Sequence, residues 1–129
     1  GMGVTSVLKH APGYGRVAVD PHFGLDKIRV SRADLLATDL APYRALRNYP
    51  ALMTAHTVYA DIDPRPATVS PVMLRLLRHD VGFAGVIIAD SIEMNAVYPE
   101  GFSTTAFDQF GIGLPLPGTL TKVTQMVLD

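Results

Sequence analysis

Three short apolar, β-branched runs punctuate the chain, at residues 4–8, 51–58 and 85–89, with amphipathic stretches between them. The last run, Gly85-Val86-Ile87-Ile88-Ala89, is apolar without alternation, the pattern of a strand covered on both faces. Ser31-Arg32-Ala33-Asp34 resembles a capping box and predicts a helix start, after which Leu36, Leu40, Tyr43 and Leu46 recur at helical spacing. Pro42 has no N–H to give, so it must kink that helix or divide it. Ser70-Pro71 predicts a second start, with Val72, Met73, Leu76 and Leu77 on one face. Arg75, Arg78 and His79 fall late in that helix, where positive charge suits the dipole, and read as a solvated end.

The order is therefore strand, long loop, helix, strand, loop, helix, strand. Such alternation predicts an α/β fold with parallel strands and crossover helices. After Asn95 the pattern dissolves. Residues 98–118 are rich in Gly, Pro, Ser and Thr, and only 121–128 again looks regular. No internal repeat is present.

At 129 residues the chain is one domain's worth, and 48% apolar residues are enough for a core. A formal charge of −1 gives no electrostatic case for nucleic acid or an anionic membrane surface. There is no cysteine, which excludes a disulfide scaffold and thiolate chemistry. No basic stretch followed by an apolar run opens the sequence, so no signal peptide is expected. No apolar run is long enough to span a bilayer. The expectation is a soluble, cytoplasmic protein.

In parallel sheets, functional groups gather at the C-terminal ends of the strands. Lys9 and His10 follow the first run, His56 lies near the end of the second, and Asp90 follows the third. The loop after the first run adds Gly13-Tyr14-Gly15 and Asp20-Pro21-His22. Each has a plainer reading. Asp90 is placed to cap a helix, His56 to be a hydrogen-bonded core histidine, and Lys9-His10 to be surface residues. Gly13 and Gly15 suit a tight turn, and Asp20-Pro21-His22 an ordinary Asp-Pro turn. A phosphate-binding loop on Gly13-Tyr14-Gly15 is a further alternative. The four histidines lack zinc-like spacing, so no metal site is expected.

Taken together, these segments resemble glycoside hydrolase family 3, in its β-N-acetylglucosaminidase (β-hexosaminidase) branch. Lys9-His10-Ala11-Pro12-Gly13-Tyr14-Gly15 resembles the family's Lys-His-Phe-Pro-Gly-His-Gly stretch, and Asp20-Pro21-His22 resembles the branch's Asp-Ser-His. Met53-Thr54-Ala55-His56 with Tyr59, then Asp63-Pro64-Arg65-Pro66-Ala67-Thr68, the helix at 70–80 and the run at 85–94 follow in the family's order. The similarity covers residues 7–97. Ala11 and Tyr14 stand where the family has Phe and His, Pro21 where it has Ser, and Ala89 and Ser91 flank Asp90 where it commonly has Ser and Asp.

The resemblance implies about three strand units of a TIM-type (β/α)₈ barrel, a fold of about 250 residues when whole. Residues 1–97 would form that segment, and 98–129 an irregular Gly/Pro-rich tail open to exchange between subunits. It implies retaining hydrolysis of terminal β-linked N-acetylglucosamine, with Asp90 as nucleophile, His22 as acid/base and Asp20 orienting His22. Lys9, His10 and His56 would bind the sugar. The expected partner is an N-acetylglucosamine-containing carbohydrate; no cofactor, nucleic acid or membrane is expected. Open strand edges imply a homo-oligomer. The alternative is a non-catalytic remnant, or an oligomeric interaction protein that keeps the motif without the pocket.

Overall fold

A computed structural model describes residues 3–18 and 27–91, together with the backbone of two strands at 105–107 and 113–115. Three strands, β1 (Val7–Ala11), β3 (Ala51–Thr54) and β5 (Val86–Ala89), form one parallel sheet in the order β1-β3-β5. Their register aligns Val7 with Ala51 and Ala51 with Val86, then Leu8 with Leu52 and Leu52 with Ile87. Successive strands are therefore spatial neighbours, and each return runs through helix, as parallel pairing demands. The predicted alternation is present.

The first strand lies three residues later than the apolar run at 4–8. Pairing with β3 sets its bounds, and Val4 is left 86% exposed. Lys9 and His10 consequently sit inside β1. Between the pairs Leu8–Leu52 and Ala11–Thr54 the register shifts, so Lys9 and His10 together face the single residue Met53. Such a bulge re-aims side chains at a strand end. The Lys9–His10 and Ala11–Pro12 peptide bonds are cis.

The second apolar run does not stay in one strand. After Thr54 the chain leaves the sheet, and β4 (Val58–Tyr59) pairs in parallel with β2 (Lys27–Ile28), which the apolar pattern did not reveal. A two-residue strand carries too little periodicity to be read from sequence.

Ser31 caps α1 (Arg32–Ala37): its hydroxyl accepts the Asp34 N–H at 3.1 Å. Pro42 divides the helical stretch, opening α2 (Ala41–Ala45) within its first turn. Leu35 and Leu40 face the core fully, whereas Leu46 is 39% exposed. Ser70 likewise caps α3 (Pro71–Arg75) through the Met73 N–H at 3.0 Å. From Leu76 to Asp80 the helix widens into a π-turn, with the Val81 N–H reaching back to the Leu76 carbonyl. That turn holds the adjacent Leu76 and Leu77 both in the core. Arg78 is more than a solvated end. Its guanidinium donates to the carbonyls of Phe83 (2.9 Å) and Gly85 (2.6 Å), tying the helix end to the start of β5.

The core lies between the helices and one face of the sheet, built on Leu35, Leu40, Leu52, Tyr59, Met73, Leu77 and Phe83. The opposite face is more open: across it run Val7, Ala51 and Val86 in register, with Val86 61% exposed. In the stretch expected to be irregular, β6 (Thr105–Phe107) and β7 (Gly113–Pro115) pair antiparallel. The expected regular segment at 121–128 lies outside the described residues. Among the described residues no helix is long and apolar enough to cross a membrane.

Candidate active site at the strand ends

Asp90 is the first residue past β5, at the C-terminal edge of the sheet. Its carboxylate is half-buried. One oxygen accepts the Ser91 N–H at 2.8 Å, and the other lies 3.5 Å from Nε2 of His10, which the bulge in β1 delivers from the far side of the sheet. The His10 ring in turn leans on Tyr14, with centroids 5.0 Å apart and planes tilted by 49°. Lys9, beside His10, is exposed.

His56 follows the end of β3 by two residues and is wholly buried. Its Nε2 is 2.8 Å from the Ser91 carbonyl oxygen, its Nδ1 is 2.9 Å from the Thr68 hydroxyl, and its backbone N–H donates to the Tyr14 hydroxyl at 3.3 Å. Burial pushes the imidazole below its ordinary range; the Ser91 carbonyl and the Asp90 charge oppose that, and His10 adds to it. The structure thus gathers His10, His56 and Asp90 from three different strand ends. Asp20 and His22 lie outside the described residues.

The loop after β1 is fixed from several sides. Gly13 adopts φ 146°, a conformation that only glycine enters readily, and its carbonyl accepts the Tyr59 hydroxyl at 2.6 Å. Burial raises the Tyr59 phenol well above its ordinary range, so it remains a donor. At the far end of the loop, Arg16 pairs with Asp39 at 3.0 Å and donates to the Thr38 hydroxyl. Burial alone would raise the Asp39 carboxyl, but the hydrogen bonds from Arg16 and Thr38 outweigh it and hold it below the usual range. These anchors fix the described part of the loop from Gly13 to Arg16.

Sequence reasoning alone marked Ser91 only as a flank of Asp90 that departs from the family, and gave Thr68 and Asp39 no part in this site. Thr68 closes the stretch 63–68 that resembles the family but lies far from the strand ends in sequence, and Asp39 carries no motif of its own. Among the described residues, no group of three or more His, Cys, Asp or Glu side chains is arranged to hold a metal ion. An ionised carboxylate beside an imidazole at the open end of a parallel sheet can act as a nucleophile or orient a polar ligand.

The family model described as "Glycosyl hydrolase family 3 N terminal domain" matches residues 1–108. The beta-hexosaminidase of Alkalilimnicola ehrlichii is 39% identical over 102 residues, which are 77% of this chain and 29% of that protein. Among solved structures, native NagZ from Neisseria gonorrhoeae matches with a TM-score of 0.66 and 41% identity, over 71% of this chain and 28% of that one. A glycoside hydrolase family 3 beta-N-acetylglucosaminidase from Paenibacillus sp. str. FPU-7 matches with a TM-score of 0.68 and 37% identity, over 73% and 19% respectively. The chain therefore spans less than a third of the length of these relatives. With its parallel strands, its crossover helices and this match over most of its length, the chain belongs to glycosyl hydrolase family 3, on the β-hexosaminidase side, and is an α/β segment of a barrel-type fold.

Proposed function

We propose that this chain carries the catalytic segment of a retaining glycosidase acting on terminal β-linked N-acetylglucosamine. The observation that supports it best is the Asp90 carboxylate at the end of β5, held by the Ser91 N–H and flanked by His10. In this reading Asp90 attacks the anomeric carbon, and the bond to the leaving oxygen breaks as His22 gives that oxygen a proton. Water then attacks the glycosyl-aspartate, His22 takes the water's proton, and Asp90 is released with the sugar's configuration retained. Asp20 orients the His22 imidazole and stabilises its charged form, a task suited to a carboxylate next to a group that titrates near neutral pH. Lys9 and His10 hydrogen-bond the sugar hydroxyls. The relatives named beta-hexosaminidase and beta-N-acetylglucosaminidase support this substrate class.

The test is hydrolysis of a fluorogenic β-N-acetylglucosaminide by the full chain, beside Asp90→Asn and His22→Ala. The expected result is turnover that falls by 10³-fold or so in Asp90→Asn, since the nucleophile is then gone. Turnover that survives both substitutions would overturn the assignment. A folded chain with no turnover would favour the second reading, an interaction protein. The exposed row of Val7 and Val86 supports that one, and it also supports a homo-oligomer.

A further inference from the structure

His56 has both ring nitrogens occupied within the chain, and the chemistry of its partners fixes where its protons sit. Nε2 faces the Ser91 carbonyl, which can only accept, so Nε2 must carry a hydrogen. Nδ1 faces the Thr68 hydroxyl, which can give or take. The Thr68 hydroxyl is also 2.9 Å from the Ala55 carbonyl, within reach to donate to it, but that carbonyl accepts the Thr68 backbone N–H at 3.1 Å as well, so turning the hydroxyl proton to a bare Nδ1 leaves no acceptor without a donor. The Thr54 hydroxyl, 2.9 Å from Thr68 Oγ1 and 3.2 Å from the Ile88 carbonyl, closes the network. In the neutral Nε2–H form every one of these buried groups has a partner. The opposite neutral tautomer would set a bare Nε2 lone pair against a carbonyl oxygen, and burial of Thr54, His56 and Thr68 makes that costly.

The partner that Nε2 holds is one step from the carboxylate. Ser91 accepts from His56 through its carbonyl and donates through its N–H to Asp90 Oδ1. We infer that His56, as its neutral Nε2–H tautomer set by Thr68, is a positioning residue: it clamps Ser91 and so aims the Asp90 carboxylate. It acts through Ser91 and contributes no group to the sugar. The catalytic meaning of that aim rests on the glycosidase reading above; the clamp itself does not.

The experiment reads the clamp without turnover. In the full chain at neutral pH, long-range ¹H–¹⁵N correlations of the His56 ring are expected to give a protonated Nε2, a slowly exchanging Nε2 proton and an unprotonated, hydrogen-bonded Nδ1. Thr68→Val is expected to move only the Nδ1 shift towards its unbonded position. His56→Gln, which keeps an N–H donor near the place of Nε2, is expected to preserve the amide shifts and exchange protection of Asp90 and Ser91. His56→Leu is expected to lose them. An unprotonated Nε2, a fully protonated ring at neutral pH, or Asp90 and Ser91 amides lost in His56→Gln would overturn the inference. Where His56→Leu fails to fold, the wild-type ring and the Gln variant still decide. Absent turnover with the expected tautomer would count against the glycosidase reading alone. Turnover with the opposite tautomer would count against the clamp alone.

Discussion

Asp63 shows what a single buried carboxylate contributes. It is 3% exposed, accepts from the Arg65 side chain and backbone and takes the Ser70 hydroxyl at 2.7 Å. Burial alone would raise its pKa, but the hydrogen bonds from Arg65 and Ser70 bring it down from 3.8 to about 2. A carboxyl depressed in the folded state adds stability that is complete above the unfolded value and drains as pH falls through the folded one. The window is therefore roughly pH 4 down to 2. The contribution is up to roughly 2 kcal/mol, reduced by solvent around the half-exposed Arg65. Asp63→Asn is expected to lower stability at pH 7 and to flatten this part of the acid limb in urea titrations. An unchanged slope would show the ion pair to be inert. Gly85 makes a second prediction at this scale. A Cβ there would run into the backbone oxygens of Tyr49 and Pro50, the latter at 2.5 Å. These are rigid atoms at the entry to β5, so Gly85→Ala is expected to cost about 1–3 kcal/mol by thermal or chemical denaturation.

At the scale of elements, two serine caps of the same kind differ in what they hold. Ser31 is exposed and serves the start of α1 alone, through Asp34. Ser70 is fully buried, caps α3 and also donates to Asp63. Ser31→Ala should cost about 1 kcal/mol. Ser70→Ala should cost about 2 kcal/mol, because the cap is lost and a buried carboxylate also loses a donor. Equal losses in the two variants, measured by denaturation midpoints, would contradict this account. Both caps were visible as Ser-x-x-Asp and Ser-Pro because a cap is a local interaction, closed within three residues. The bounds of β1 were not local. Val4 looks as strand-like as Val7, and only the pairing with Ala51 and Leu52 starts the strand at Val7 and puts Lys9 and His10 inside it.

For the whole molecule, the sheet leaves one face with Val7 and Val86 exposed and, among the described residues, the outer edges of β1 and β5 unpaired. Apolar surface and unpaired strand edges favour association between copies. The proposed homo-oligomer is expected to show as a species larger than 13.9 kDa in sedimentation at micromolar concentration, shifting towards monomer in Val86→Lys. A clean monomer for the parent chain would refute it.

The sequence by itself determined the alternation of strands and helices, the two serine caps, the division of the helix at Pro42 and the family. It also named Lys9, His10, His56 and Asp90 as strand-end residues. All of these rest on local chemistry or on motifs contiguous in the chain. Only the tertiary structure decided which groups meet: His10 with Asp90 across 80 positions, His56 with Ser91, Thr68 with His56, Arg16 with Asp39. Those contacts depend on strand register and on the bulge in β1. Register is set by pairing between strands more than thirty residues apart, and no window of the sequence contains both partners.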